Sequence, residues 1–166
     1  MTYTAKRYDF QDKSCGYEQL AADLKALLAA ESDLIANAAN TAALLFDALP
    51  AINWAGFYFL RGGELVVGPF QGKPACVRIA LGRGVCGTAA AQRATIIVPD
   101  VHEFPGHIAC DCASRSEIVV PLIAGRLIGV LDIDSPEPGR FDDEDARGLS
   151  QLAALFLAAS AVNDLA

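Results

Sequence analysis

The chain has 166 residues, 53% of them apolar, and a net charge of −7. It is the size of one ordinary domain, apolar enough to exclude disorder and large enough to fold without a disulfide or metal staple. The acidic balance and scattered basic residues argue against nucleic acid or an anionic membrane surface as partner, and leave a small cationic or zwitterionic ligand compatible.

No apolar run reaches the roughly 18 residues of a membrane span. The polar start, MTYTAKRYDFQDKSCGYEQL, lacks the apolar middle of a signal peptide, so the cytoplasm is the expected compartment. The first helix is expected over residues 17–30, where Leu20, Leu24, Leu27 and Leu28 share one face. Ser32 or Asp33 can cap a second helix, with Leu34, Ala38, Leu45, Phe46 and Leu49 inward and Pro50 as its stop. Residues 52–60 then read as a strand, 61–64 as a hairpin turn and 65–70 as the returning strand. A short strand is expected over 76–81. The glycine-punctuated turn GRGVCG (82–87) follows, then a short helix over 88–92 and a strand over 95–98. Residues 99–116 show no clear periodicity; loops of this length are commonly functional. Strands over 117–123 and 127–133 flank Ala124-Gly125-Arg126. The last helix is expected to begin in FDDED with Asp142 as N-cap, and to bury Leu149, Leu152, Ala153, Phe156 and Ala159. Helices, then a run of antiparallel strands, then a closing helix define an α+β domain with a central antiparallel sheet, taken as one domain over 1–166.

Five cysteines are present: Cys15, Cys76, Cys86, Cys110 and Cys112. An odd number in a reducing compartment does not make a static disulfide framework. Core filler, metal ligands and reactive thiols remain. His102, His107, Cys110 and Cys112 in HEFPGHIACDC (102–112) offer four zinc ligand types, but at spacings unlike a standard zinc site. Read as reactive thiols, Cys76, Cys86 and Cys110 lie at strand ends or in loops. None forms a Cys-x-x-Cys pair, so their meeting depends on the fold. Cys86 inside the glycine turn is expected to be reachable. That turn is not a phosphate loop, because it lacks Gly-Lys-Ser/Thr.

Alternation puts Asp132 and Asp134 of LDIDS on one face of a strand, opposite Leu131 and Ile133. They are either a solvated strand end or a socket for an ammonium group, a metal ion or a shared proton. Alternation likewise puts Trp54, Gly56 and Tyr58 together, either as core packing or as an apolar wall for a ligand, with the glycine leaving room between two rings.

INWAGFY, GPFQGKPACVRI, GRGVCGTAAA, VPDVHEFPGHIACD, SEIVVPL and IGVLDIDS, in this order, resemble the GAF-domain free methionine-(R)-sulfoxide reductases over residues 17–156. The resemblance implies the GAF fold, an antiparallel sheet of about six strands with helices on its faces. It implies reduction of free L-methionine-(R)-sulfoxide to L-methionine without cofactor or metal. Cys110 would be the attacking thiolate, Cys76 its main disulfide partner and Cys86 an assisting thiol. Glu117, Asp132 and Asp134 would line the polar side of the pocket, with Trp54 and nearby Tyr58 on the apolar side. Thioredoxin would return the disulfide to thiols, and a homodimer is compatible with the resemblance. Cys112 departs from the family pattern and is taken as a bystander, since a Cys-x-Cys disulfide is strained. Cys15 lies outside the resembling region. His102 and His107 are expected to shape the loop. A non-catalytic GAF module that binds a small molecule as a sensor is the competing reading.

Overall fold

The computed structural model describes residues 6–106 and 113–162. Its elements run α1 (Lys13–Leu28), α2 (Leu34–Ala48), β1 (Trp54–Arg61), β2 (Glu64–Gly72), β3 (Arg78–Ala80), α3 (Gly84–Gln92), β4 (Ile96–Val98), β5 (Ser116–Ala124), β6 (Arg126–Ser135) and α4 (Asp143–Ala159), with a 3₁₀ turn at Val101–Glu103. The six strands make one antiparallel sheet in the order β3-β2-β1-β6-β5-β4. This is the expected α+β architecture.

Strand alternation divides the interior in two. Ala55, Phe57 and Phe59 of β1, with Leu131 and Ile133 of β6, face α1, α2 and α4. Trp54 and Tyr58, with Val119 and Val130, face α3 and the loops around it. On the first side Asp145 is fully buried. It accepts from the Tyr17 hydroxyl at 2.8 Å, Lys13 Nζ at 2.6 Å and Arg140 Nη1 at 3.2 Å, which ties α1 to α4.

The ends of three helices follow their caps. Asp33 accepts from the Ala36 amide at 2.7 Å, and Asp142 forms a reciprocal capping box with Asp145. The first helix begins four residues before its apolar stripe. Asp12 caps it by accepting from the Cys15 amide, and the polar Lys13-Ser14-Cys15 turn carries no periodicity that would reveal it.

A larger departure concerns α3. The sequence suggests a glycine turn followed by a helix from Thr88, but the helix starts at Gly84. Val85, Cys86, Ala89 and Ala90 form its buried face, a helical spacing hidden by glycines of poor helix propensity. Gly87 is required there, because a Cβ would collide with the Ala80 carbonyl oxygen. Cys86 therefore sits in a helix turn and is buried, not reachable in a loop.

The stretch 99–116 is anchored at both ends. The Val101 amide donates to the Arg115 carbonyl at 2.8 Å, and Arg115 Nη2 contacts Asp100 Oδ2 at 2.9 Å. His102 is exposed on the 3₁₀ turn. His107, Cys110 and Cys112 lie outside the described residues.

Candidate active site

The cross-strand register assembles the site from residues far apart in sequence. Trp54 of β1 stands opposite Asp134 of β6, which stands opposite Glu117 of β5. One step along, Gly56 stands opposite Asp132. Directly opposed residues share a face. The aromatic pair of β1 and the carboxylates of β5 and β6 therefore project together, toward α3.

They line one cavity between the sheet and α3. Trp54, Tyr58, Cys86, Glu117, Asp132 and Asp134 all contribute to its wall. Asp132 is buried and faces this cavity, so the Asp pair is not a solvated strand end.

The apolar wall is a stack. The Trp54 indole lies between Phe70, with ring centroids 5.2 Å apart, and Tyr58, at 5.9 Å. Trp54 Nε1 donates to the Lys73 carbonyl at 3.1 Å, which fixes the ring. Gly56 leaves room for it: a Cβ at this position would lie 2.7 Å from Trp54 Cη2 and would also strike Phe70.

The polar wall holds its charges against desolvation. Burial pushes the Glu117 carboxyl well above the usual carboxylate range, and the charges of Asp132 and Asp134 push it further. Burial also raises Asp132, to about 6, against opposing hydrogen bonds from Cys86 and Glu117. Both shifts favour a proton kept on the pair. Burial, then the charges of Asp132 and Glu117, push the Cys86 thiol well up. Cys86 is a protonated thiol here, its Sγ 3.9 Å from Glu117 Oε1.

Cys76 is half-buried in the loop before β3 and packs against the cluster that includes Trp54, Tyr58 and Cys86. Its neighbour Ala75 lines the cavity. Three further polar residues of the lining carry no site role in the sequence reading. Lys73 and Arg83 place cationic side chains at the rim, and the buried Ser114 accepts from Asn53 Nδ2 at 3.1 Å. The lone basic residue inside GRGVCG and the lysine of GKPAC were the available signals for the first two. Nothing local marks Ser114.

A GAF domain family model matches residues 32–159. The chain is 59% identical over 139 residues to the free methionine-R-sulfoxide reductase of Escherichia coli, covering 83% of this chain and 84% of that protein. It is 46% identical over 148 residues to the free methionine-R-sulfoxide reductase of Saccharomyces cerevisiae, covering 84% and 82%. The X-ray structure of the free methionine-R-sulfoxide reductase from Neisseria meningitidis in complex with its substrate superposes with a TM-score of 0.88 at 45% identity, covering 94% of this chain and 95% of that one. These similarities run through the strands and helix that build the cavity, and the chain belongs to the GAF-domain free methionine-(R)-sulfoxide reductase family.

Proposed function

We propose that this chain reduces free L-methionine-(R)-sulfoxide to L-methionine, with Cys110 as attacking thiolate, Cys76 as its disulfide partner and thioredoxin as reductant. The carrying observation is a single cavity with a stacked aromatic wall on one side and three carboxylates on the other. A zwitterionic thioether sulfoxide matches both walls. Its apolar end packs on Trp54, and its ammonium and polarised S–O group meet the carboxylates. The family relationship supports the same substrate.

The chemistry follows from the groups present. The thiolate attacks the sulfoxide sulfur. The S–O bond breaks, and the departing oxygen takes a proton and transfers to the thiol sulfur. A proton kept on the Glu117–Asp132 pair by burial supports a role for it as the acid in this step. Methionine leaves, and Cys110 becomes a sulfenic acid. The Cys76 thiol condenses with it, releasing water and forming a disulfide. A dithiol protein then exchanges with that disulfide and restores both thiols.

Two observations support this role for Cys110: the Val101 amide donates to the Arg115 carbonyl, and Ser114 lines the cavity four residues after Cys110 in sequence. Four residues span at most about 14 Å. Cys76, half-buried next to the cavity-lining Ala75, suits a residue that must meet both an internal sulfenic acid and an external reductant. The deeper Cys86 is confined to exchange inside the cavity. Preference for the free amino acid follows from the carboxylates: a peptide-bound residue lacks the ammonium, and its buried partners would be left unpaired.

Turnover of resolved R and S epimers of free methionine sulfoxide, with thioredoxin or dithiothreitol, tests the proposal. We expect R-specific reduction, abolished in Cys110→Ser. Cys76→Ser should release about one methionine per enzyme and then fail to cycle with thioredoxin. Absence of R-specific turnover would leave a ligand-binding GAF module.

A further inference from the structure

Cys86, Glu117 and Asp132 also form a donor set of the kind that holds a metal ion. One ligand atom from each, a thiol sulfur and two carboxylate oxygens, lies within 4.8 Å of the others, and all three residues are buried. The Cys86 Sγ to Glu117 Oε1 separation is 3.9 Å. In a tetrahedral zinc site, with Zn–S about 2.3 Å and Zn–O about 2.1 Å, the S···O edge is about 3.6 Å. The donors are therefore close to ligating geometry.

A second observation points to a cation. Asp132 is only 6% exposed, and its Oδ1 accepts no hydrogen bond among the described residues. A buried carboxylate oxygen without a partner is costly, and a cation is one way to compensate it. The three donors come from rigid elements: the first turn of α3, β5 and β6. One thiolate with two carboxylates is too soft a set for Mg²⁺ or Ca²⁺ and suits a borderline divalent ion. All three residues face the cavity, so the fourth coordination position opens into it.

We propose that the reduced protein binds one borderline divalent cation of the Zn²⁺ class through Cys86, Glu117 and Asp132, and that this ion and a cavity ligand exclude one another. Binding expels the thiol proton, together with any proton held by the carboxyl pair, to solvent. Neither the ion nor sulfur changes oxidation state. The bound ion would hold Cys86 away from oxidants and close the cavity to other ligands. The metal site itself does not depend on the reductase reading, whereas its displacement by methionine sulfoxide rests on that reading.

Co²⁺ is the probe, added anaerobically to the full chain carrying serine in place of Cys15, Cys76, Cys110 and Cys112, so that Cys86 is the only thiol. We expect one equivalent to bind, with a near-ultraviolet thiolate-to-cobalt charge-transfer band and the visible bands of tetrahedral cobalt. Free methionine-(R)-sulfoxide should bleach both. Adding Cys86→Ser should remove the near-ultraviolet band, and adding Asp132→Asn should weaken binding by about tenfold or more. If circular dichroism shows the four-serine protein unfolded, equilibrium dialysis of Zn²⁺ against the reduced native chain and its Cys86→Ser variant replaces it. The native chain should then hold one more equivalent. No thiolate band, a band that survives Cys86→Ser, or equal zinc uptake by the two chains overturns the site, and a band that methionine sulfoxide leaves unchanged overturns the exclusion. None of these readouts needs turnover, so a failed reductase assay and a failed metal site remain distinguishable.

Discussion

Cys76 and Cys86 pack in the same cluster beside the cavity, yet their surroundings separate them. Cys86 is 4% exposed, and burial with two nearby carboxylates favours its protonated form. The thiolate is the nucleophile, so such a thiol is slow toward alkylating agents. We expect iodoacetamide at neutral pH to label Cys76 at least about tenfold faster than Cys86. Peptide mapping by mass spectrometry measures this, and unfolding in urea should erase the difference. Equal labelling in the folded state would mean that α3 opens readily. Gly56 makes a second case at this scale. Alanine there would push against Trp54 and Phe70 inside a packed stack. Overpacking of this kind costs about 1–3 kcal/mol. Gly56→Ala should lower the urea midpoint and raise KM more than it lowers kcat, because the displaced group is the apolar wall and not a reacting one.

At the scale of elements, β6 shows how function is set against stability. Asp132 sits in the middle of the sheet with a carboxyl raised to about 6 by burial. A raised value means that the folded state binds the proton more tightly than the unfolded state, where the ordinary value is about 4. The sign is therefore fixed: this group lowers stability as pH rises from about 4 through about 6. Asp132→Asn keeps the shape and removes the charge. The variant should match the native chain below about pH 4 and exceed its stability by on the order of 1–3 kcal/mol above about pH 6. Thermal unfolding at pH 4 and pH 7.5 reads the difference, and a constant offset across that range would refute it. Activity should fall in the same variant.

This strand also marks how far the sequence could be read. The alternation in Trp54-Ala-Gly-Phe-Tyr58 and Leu131-Asp-Ile-Asp134 is local, so the faces were legible before any pairing was known. That Trp54, Asp134 and Glu117 form one row depends on the register of three strands, which no local pattern encodes. Glu117 came only through the family resemblance. The position of Cys86 was misread because Gly82, Gly84 and Gly87 signal a turn, while the helical spacing around them is set by packing on the sheet and on Ala80. Ser114 follows a stretch without periodicity, and its place at the cavity wall, where Asn53 donates to it, comes from tertiary contacts that no local pattern encodes.

Across the whole molecule, the sheet separates the layer that stabilises the domain from the layer that holds the cavity. The α1, α2 and α4 side carries the larger apolar core, whereas the cavity side holds the buried Glu117 and Asp132. Strain or charge tolerated on one side must be offset by the other. Asp145 provides the sharpest test. It is fully buried and satisfies the Tyr17 hydroxyl, Lys13 and Arg140 together, and the Arg140 side chain is itself only 8% exposed. Removing the carboxylate leaves a buried guanidinium without its ion partner, and breaking such a pair costs about 3–5 kcal/mol. Burial and the lost acceptor also leave the Tyr17 hydroxyl, whose ionisation is pushed far out of reach, with nothing to donate to. Asp145→Ala should therefore reduce unfolding free energy by about that amount, measured by urea titration. It touches no residue of the cavity, so KM and R-epimer preference measured well below the melting temperature should equal those of the native chain. A large KM change with small destabilisation would show that the two layers are coupled through the sheet, and would move α4 from the stabilising layer into the working part of the protein.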